Sequence, residues 1–329
     1  MEDANLPFSY SWPAIGNEKA ITFLDQSIKS DRLAQTYVFI GPEELGKSTV
    51  ALAFAKNLQG EMEGFNSDLH ILNREADKKN ISIAQVRDFI KILNLSSFSG
   101  SYKIGLIKEA DLLSEEAKSA LLKTLEEPKE KVIIILLVSN EENLPATILS
   151  RSQKIYFNPV SASVIYDYLI DNYKAGRSQA KDLSALALGR PLRAISYLEN
   201  PESYQAYLES ARQVLKVICS LPGDRIALLD EMFNDRTYSR AAVSSALEIV
   251  AIFEGLLRDM LLISLDKADL IQHLALSSEF TEAFSALGLE GDDRIQFFLE
   301  RLKLISQARE YMQANVNPRL VLEQLFFNL

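Results

Sequence analysis

"TYVFIGPEELGKSTVALAFAKNL", residues 36–58, holds a strand, a turn and a helix in that order. Residues 36–41 are β-branched and aromatic, the types that fit a pleated sheet surface. From Gly46 onward Ala and Leu dominate, and a helix is predicted. Between them "GPEELGKS" fits the pattern G-x-x-x-x-G-K-[ST]. Gly41 and Gly46 let backbone N–H groups face phosphates. Lys47 reaches the β- and γ-phosphates, and Ser48, with Thr49 beside it, is placed to help hold magnesium. The following helix adds the positive end of its dipole. A strand before the pattern and a helix after it give the context a phosphate-binding loop requires. Glu43 and Glu44 put two negative charges into this loop. Facing the ligand they would weaken polyphosphate binding, and they are expected to point to solvent.

Around this loop, helix and strand patterns alternate. "NEKAITFLDQSIKS" (17–30) carries Ile21, Leu24 and Ile28 on one helical face. "ISIAQVRDFIKIL" (81–93) predicts an amphipathic helix with Ser82 as N-cap. "YKIGLI" (102–107) predicts a strand. "SEEAKSALLKTLEE" (114–127) predicts a helix that starts at Ser114 and stops before Pro128. "VIIILLV" (132–138) is the longest apolar run. It is too short to span a bilayer and predicts a fully buried strand. A short helix after Pro145 and a last strand, "KIYF" (154–157), complete the series. Buried strands alternating with helices imply a parallel sheet covered on both faces. After Pro159 the strand signal fades. Three short helices are predicted up to about residue 200, with Gly189 at a turn. Beyond Pro201 the pattern is helical, with breaks near Pro222–Gly223, Gly288–Gly291 and Pro318. The expected division is an α/β domain (1–159), a small helical domain (160–200) and a larger helical domain (201–329).

Composition narrows the function. A chain of 329 residues with 47% hydrophobic and 24% charged residues is globular and too long for one ordinary core. Its formal charge of −10 argues against a protein that coats DNA alone. Cys219 is the single cysteine, so no disulfide framework exists, as fits a reducing cytosol. One Cys with His70 and His273 cannot build a zinc site of cysteines and histidines. Both histidines are expected to be isolated and structural. The N-terminus "MEDANLPFSYSW" lacks a basic, apolar signal sequence, and a cytoplasmic protein without membrane contact is expected.

The second strand raises a chemical question. A nucleoside triphosphatase of this kind ends it with an acid that holds magnesium and a second that orients the attacking water. Here the strand ends "LIKEAD", with Lys108 in the first place and Glu109 in the second. An ammonium cannot ligate a metal. A register shifted by one would make Glu109 the metal acid, but the spacing to "LLKTLEEP" favours Lys108.

"YKIGLIKEADLLSEEAKSALLKTLEEP" (102–128) resembles the corresponding segment of the AAA+ clamp-loader subunits of bacterial DNA polymerase III. "LPATILSRSQ" (144–153), "WPAIGNEKA" (12–20) and "GRPLRAISYL" (189–198) resemble further segments of that family. The resemblance covers residues 12 to about 200; beyond, only the helical character agrees. It implies an AAA+ P-loop sheet, a helical lid (160–200) and a helical collar (201–329) for oligomerisation. Lys108 and the absence of a tail beyond the collar favour a delta-prime-like subunit over the gamma/tau motor. The alternative is an active motor ATPase using Glu109. "NLQGEMEGFNSD" (57–68) is short and has no cysteine where most members insert a four-cysteine zinc module, so no zinc is expected.

The resemblance also implies roles. Arg151 of "ILSRS" would act in trans as an arginine finger on a neighbour's ATP, the rival being an ordinary surface ion pair. Ser139–Asn140, after the central strand, occupies the first-sensor position, with a strand-end cap as the alternative. Arg193 occupies the second-sensor position, with a plain surface arginine as the alternative. ATP is the candidate ligand of Gly41, Gly46, Lys47, Ser48 and Thr49. The expected partners are the motor (gamma/tau) and delta subunits, the sliding clamp and, through the assembly, primed DNA. The subunit's own ATPase is expected to be weak or absent because of Lys108.

Overall fold

The computed structural model describes residues 10–13, 15–60, 68–75, 78–97, 102–127, 129–233 and 239–329. It divides into two compact units. One holds the residues up to Tyr168 together with Gly189–Arg193; the other holds Leu169–Leu188 and Ala194–Leu329. The stretch 160–200, expected to be a domain of its own, is shared between them.

The first unit is built on a parallel sheet of β1 (Thr36–Ile40), β2 (Leu69–Leu72), β3 (Lys103–Ile107), β4 (Val132–Val138) and β5 (Gln153–Tyr156). The strand order is β2-β3-β4-β1-β5. Every residue of β1, β3 and β4 is buried, as the apolar runs predict for a sheet covered on both sides. Successive side chains point to opposite faces. Tyr37, Phe39, Ile133, Ile135 and Leu137 therefore join one core with α1 (Glu18–Lys29) and α2 (Lys47–Gln59). Val38, Ile40, Ile134, Leu136 and Val138 join the other, with α3 (Ile83–Leu93), α4 (Glu115–Glu126) and the short α5 (Ala146–Leu149).

Local sequence sets the helix starts. Ser82 and Gln85 form a reciprocal capping box at α3. The Ser114 hydroxyl accepts the Ala117 N–H at 3.2 Å at α4. Pro128, the expected stop of α4, and residues 61–67, within the segment expected to lack a zinc module, lie outside the described residues.

β2 is an addition to the sequence reading, which predicts no strand over Leu69–Leu72. It is an edge strand with Leu72 buried and Ile71 exposed, so neither an apolar run nor a clean alternation marks it. Its pairing with β3 aligns Leu69 with Ile104 and Leu72 with Ile107. On β3 the buried Lys103 donates to the carbonyls of Ile92 and Leu95, each at 3.1 Å, and of Ser96 at 3.3 Å. A cation thus closes the negative C-terminal end of α3.

The remaining helices are α6 (Ala162–Tyr173), α7 (Arg177–Leu186), α8 (Pro191–Glu199), α9 (Pro201–Cys219) and α10 (Pro222–Met232), then α11 (Arg240–Ser264), α12 (Ser277–Leu287), α13 (Gly291–Gln313) and α14 (Pro318–Asn328). Helices α9, α10 and α14 start on proline, whose fixed φ suits the first helical position. The breaks near Pro222, Gly288–Gly291 and Pro318 fall as the sequence predicts. A further break follows α11, with short 3-10 turns at Ala268–Leu270 and Leu274–Leu276. It brings His273 back to Asp259, both wholly buried. The Asp259 carboxylate accepts the backbone N–H of Gln272 at 3.0 Å and of His273 at 2.9 Å. His273 Nδ1 lies 2.8 Å from Asp259 Oδ2, and its Nε2 lies 2.7 Å from the Tyr207 hydroxyl. His273 is therefore structural, as expected, but sits in a network rather than alone. Among the described residues no helix is long and apolar enough to cross a membrane.

Removing the Asp259 carboxylate strands several buried donors at once. Asp259→Ala should lower stability by about 3 kcal/mol, read as a shift of the urea midpoint of the helical unit. Asp259→Asn should cost less.

Candidate functional site

The loop between β1 and α2 sits where three strands end together. The Gly41 N–H donates to Val138 O of β4 at 3.2 Å, and the Phe157 N–H donates to Ile40 O at 2.8 Å. A Cβ on Gly41 would lie 2.3 Å from the Phe157 carbonyl oxygen, so no other residue fits this crossing. Gly46, at φ 86°, turns the chain into α2.

The Lys47 ammonium donates to Gly41 O and, at 2.7 Å, to Pro42 O. Burial lowers the Lys47 pKa from its usual value, and the carboxylates of Glu43 and Asp111 work against that shift. Lys47 and Ser48 line a cavity of about 260 Å³, whose far wall includes Lys108, Glu109, Asp111 and Ser139. Thr49 is exposed on the first turn of α2.

Lys108 follows β3, and its N–H donates to Leu72 O at 3.0 Å. Edge strand β2 therefore fixes the position at which an acid was sought. Glu109 adopts φ 53° and accepts from Arg74 Nη2 at 3.3 Å. Asp111, which the sequence reading passed over, accepts the Ser139 N–H at 3.3 Å and acts on Lys47 electrostatically. Its signal was the last letter of "KEAD", one turn beyond the strand end. Asn140 caps the turn Glu141–Asn143, accepting the Glu142 N–H at 3.1 Å; of the two residues after β4 it is Ser139 that lines the cavity.

The structure corrects one expectation about the loop. Glu44 does not point to free solvent. Its Oε2 accepts from Arg193 Nε at 2.9 Å and lies 2.8 Å from Arg193 Nη2, with Arg190 Nη1 at 3.7 Å. The Leu192 N–H also donates to Glu44 O at 3.1 Å. Gly189, at φ 77°, makes this return of the chain feasible. A Cβ there would meet Pro159 Cβ at 2.6 Å, and its carbonyl accepts the Val160 N–H at 2.9 Å. Arg193 is thus brought to the phosphate loop, with its guanidinium held by a carboxylate of that loop.

Arg151 lies apart from the cavity, after α5. Its side chain is 40% exposed, with Nη2 3.1 Å from Glu126 Oε1 and Nη1 donating to Thr147 O at 3.1 Å.

The donor set does not fit a resident magnesium ion. Mg²⁺ requires near-octahedral oxygen ligands. Lys108 brings a positive charge to the strand end, Glu109 is paired with Arg74, and Asp111 is tied to a backbone amide. A polyphosphate fits better, through Lys47, Ser48 and the N-terminal end of α2.

A parallel sheet in this order, a phosphate loop after its β1 and a following helical unit define an AAA+ P-loop protein. A sequence model of the family described as "DNA polymerase III, delta subunit" matches residues 16–161. The chain is 24% identical to DNA polymerase III subunit delta' of Bacillus subtilis over 334 residues, covering 94% of this chain and 95% of that one. It is 26% identical to subunit tau of the same organism over 319 residues, covering 90% of this chain and 53% of the relative. With subunit tau/gamma of Haemophilus influenzae it shares 30% identity over 235 residues, 67% of this chain and 34% of the relative. The chain therefore spans a third to a half of these tau relatives. Among solved structures, a DNA polymerase III gamma subunit-related protein of Thermotoga maritima superposes with a TM-score of 0.50 at 17% identity, covering 92% of this chain and 97% of that one. That likeness bears on the fold alone. The family model and these relatives make the chain similar to the AAA+ clamp-loader subunits of DNA polymerase III.

Lys108 makes a sharp prediction. Titration with a fluorescent ATP analogue should give the same affinity with magnesium and with EDTA. Lys108→Asp should make binding tighter with magnesium than without it. Magnesium dependence in the parent chain would show that another residue holds the metal.

Proposed function

We propose that the chain is a delta-prime-like subunit that assembles with motor subunits and assists their ATP hydrolysis rather than carrying out its own. The observation that carries this reading is Lys108 in the wall of the phosphate cavity, beside acids already held by Arg74 and a backbone amide.

Arg151 supplies the chemistry. Its pair with Glu126 joins two half-exposed side chains. Such pairs are worth about 0–1 kcal/mol, so exchanging Glu126 for a stronger anion costs little. A γ-phosphate presented by a neighbouring subunit is such an anion. The guanidinium would neutralise charge that builds on the transferring phosphoryl group. The partners are the motor and delta subunits and the sliding clamp, with primed DNA met through the assembly in the cytoplasm. The rival reading, an active motor, draws on the similarity to tau/gamma and needs Glu109 to leave Arg74.

Reconstitution tests the finger. Arg151→Ala should slow hydrolysis at the facing site by about 10³-fold, read as clamp- and DNA-stimulated ATPase, while subunit assembly persists. Unchanged ATPase would remove the trans role. The isolated chain should show no steady ATP turnover; turnover abolished by Lys47→Ala would establish the motor reading instead.

A further inference from the structure

The Glu44–Arg193 pair has a consequence for ligand binding at the phosphate loop. Glu44 sits within the loop, one residue before Leu45 and Gly46, in the left-handed region at φ 63°. It is the loop residue whose carboxylate meets the two arginines of the segment Gly189–Arg193. Arg193 contributes two nitrogens within 2.9 Å of one carboxylate oxygen, a close charge-assisted contact. The Leu192 N–H fastens the same segment to the Glu44 carbonyl, and Leu192 itself lines the cavity. Arg193 therefore already has an anion at the mouth of the cavity, and that anion belongs to the protein.

We propose that Glu44 is an internal competitor of the nucleotide's phosphates. Its carboxylate occupies Arg193, so an incoming polyphosphate must displace it to gain that arginine. Glu44 also repels the ligand by its own charge. Both effects point the same way, toward weak binding of nucleoside di- and triphosphates by an otherwise complete loop. A nucleotide that does bind well must break the Glu44 contact, so occupancy of the loop and release of the Gly189–Arg193 segment are coupled. The proposal rests on the cavity being a phosphate site and is independent of what Arg151 does.

The neighbouring charges do not remove the competition. Glu43 is exposed and acts on Lys47. Glu109 is held by Arg74, and Asp111 by the Ser139 amide. Arg190, at 3.7 Å from Glu44, is the second cation that the carboxylate retains if Arg193 moves.

The test is a double-mutant cycle on the full chain, read by titration with a fluorescent ATP analogue. Glu44→Gln keeps the size and removes the charge, and should tighten binding by about five- to tenfold. Arg193→Ala alone should change affinity little, because that arginine is already engaged. In the Glu44→Gln background the same change should abolish most of the gain, so the two effects do not add. Glu44→Ala provides a second variant if Glu44→Gln melts early, and should show the same gain. Equal affinity of the parent and both Glu44 variants would overturn the proposal. So would a gain that survives Arg193→Ala undiminished, which would reduce Glu44 to a simple repelling charge. Absence of nucleotide binding in every form at millimolar concentration would overturn it as well. The titration uses the isolated chain, so its failure and a failure of the Arg151 assay are separately readable.

Discussion

The first unit depends on a crossing of backbones at Gly41. Strand β1 is paired on one side with β4 and on the other with β5. Both neighbours continue to the point where β1 ends, through the Gly41–Val138 and Ile40–Phe157 hydrogen bonds. The Phe157 carbonyl comes so close that only a hydrogen can stand at the α-carbon of residue 41. With the chain held there, Pro42 to Gly46 must turn outside the ends of the strands, and α2 must start directly above them. The cavity between this turn and the ends of β3 and β4 follows from that geometry. In open parallel sheets this is where ligands bind.

On this frame the charges are arranged differently from those of an ATP-hydrolysing site. A hydrolytic site keeps carboxylates available for metal and water. Here three of the carboxylates around the loop have a protein counterpart, while Glu43 is exposed. Glu109 meets Arg74, Asp111 meets the Ser139 amide and the field of Lys47, and Glu44 meets Arg193. The cation at Lys108 adds to this balance. Glu109 and Glu44 thus meet arginines of the same chain.

Much of this was legible in the sequence, and the exceptions have physical causes. The apolar runs of β1 and β4 and the serine caps of α3 and α4 are local signals, and each element lies within a residue or two of its predicted place. β2 escaped because an edge strand buries little; Leu72 is its one fully buried residue. The break after α11 escaped because Asp259 and His273, 14 positions apart, reveal their relation only once the chain has folded back. The phosphate loop was readable because its glycines and lysine are contiguous. The fate of Glu44 was not, since its partner Arg193 is 149 positions away. A contiguous motif reports which groups are present. Long-range pairs decide whether those groups are available.

Availability also separates the chain's arginines. Arg319 of α14 is almost wholly shielded and binds Asp230, Glu323 and the Phe233 carbonyl. Such a guanidinium is part of the helical unit's framework, and moving it would strand several partners. Arg151 makes one ion pair and one carbonyl contact on an exposed surface, where water can replace both. Arg193 lies between these extremes, with its side chain about one-third exposed and one close carboxylate. The ranking by burial separates Arg319, a fixed strut, from Arg193 and Arg151, whose contacts are more readily exchanged. The proposed trans role asks for a guanidinium held weakly within its own chain, and Arg151 is the most exposed of these three.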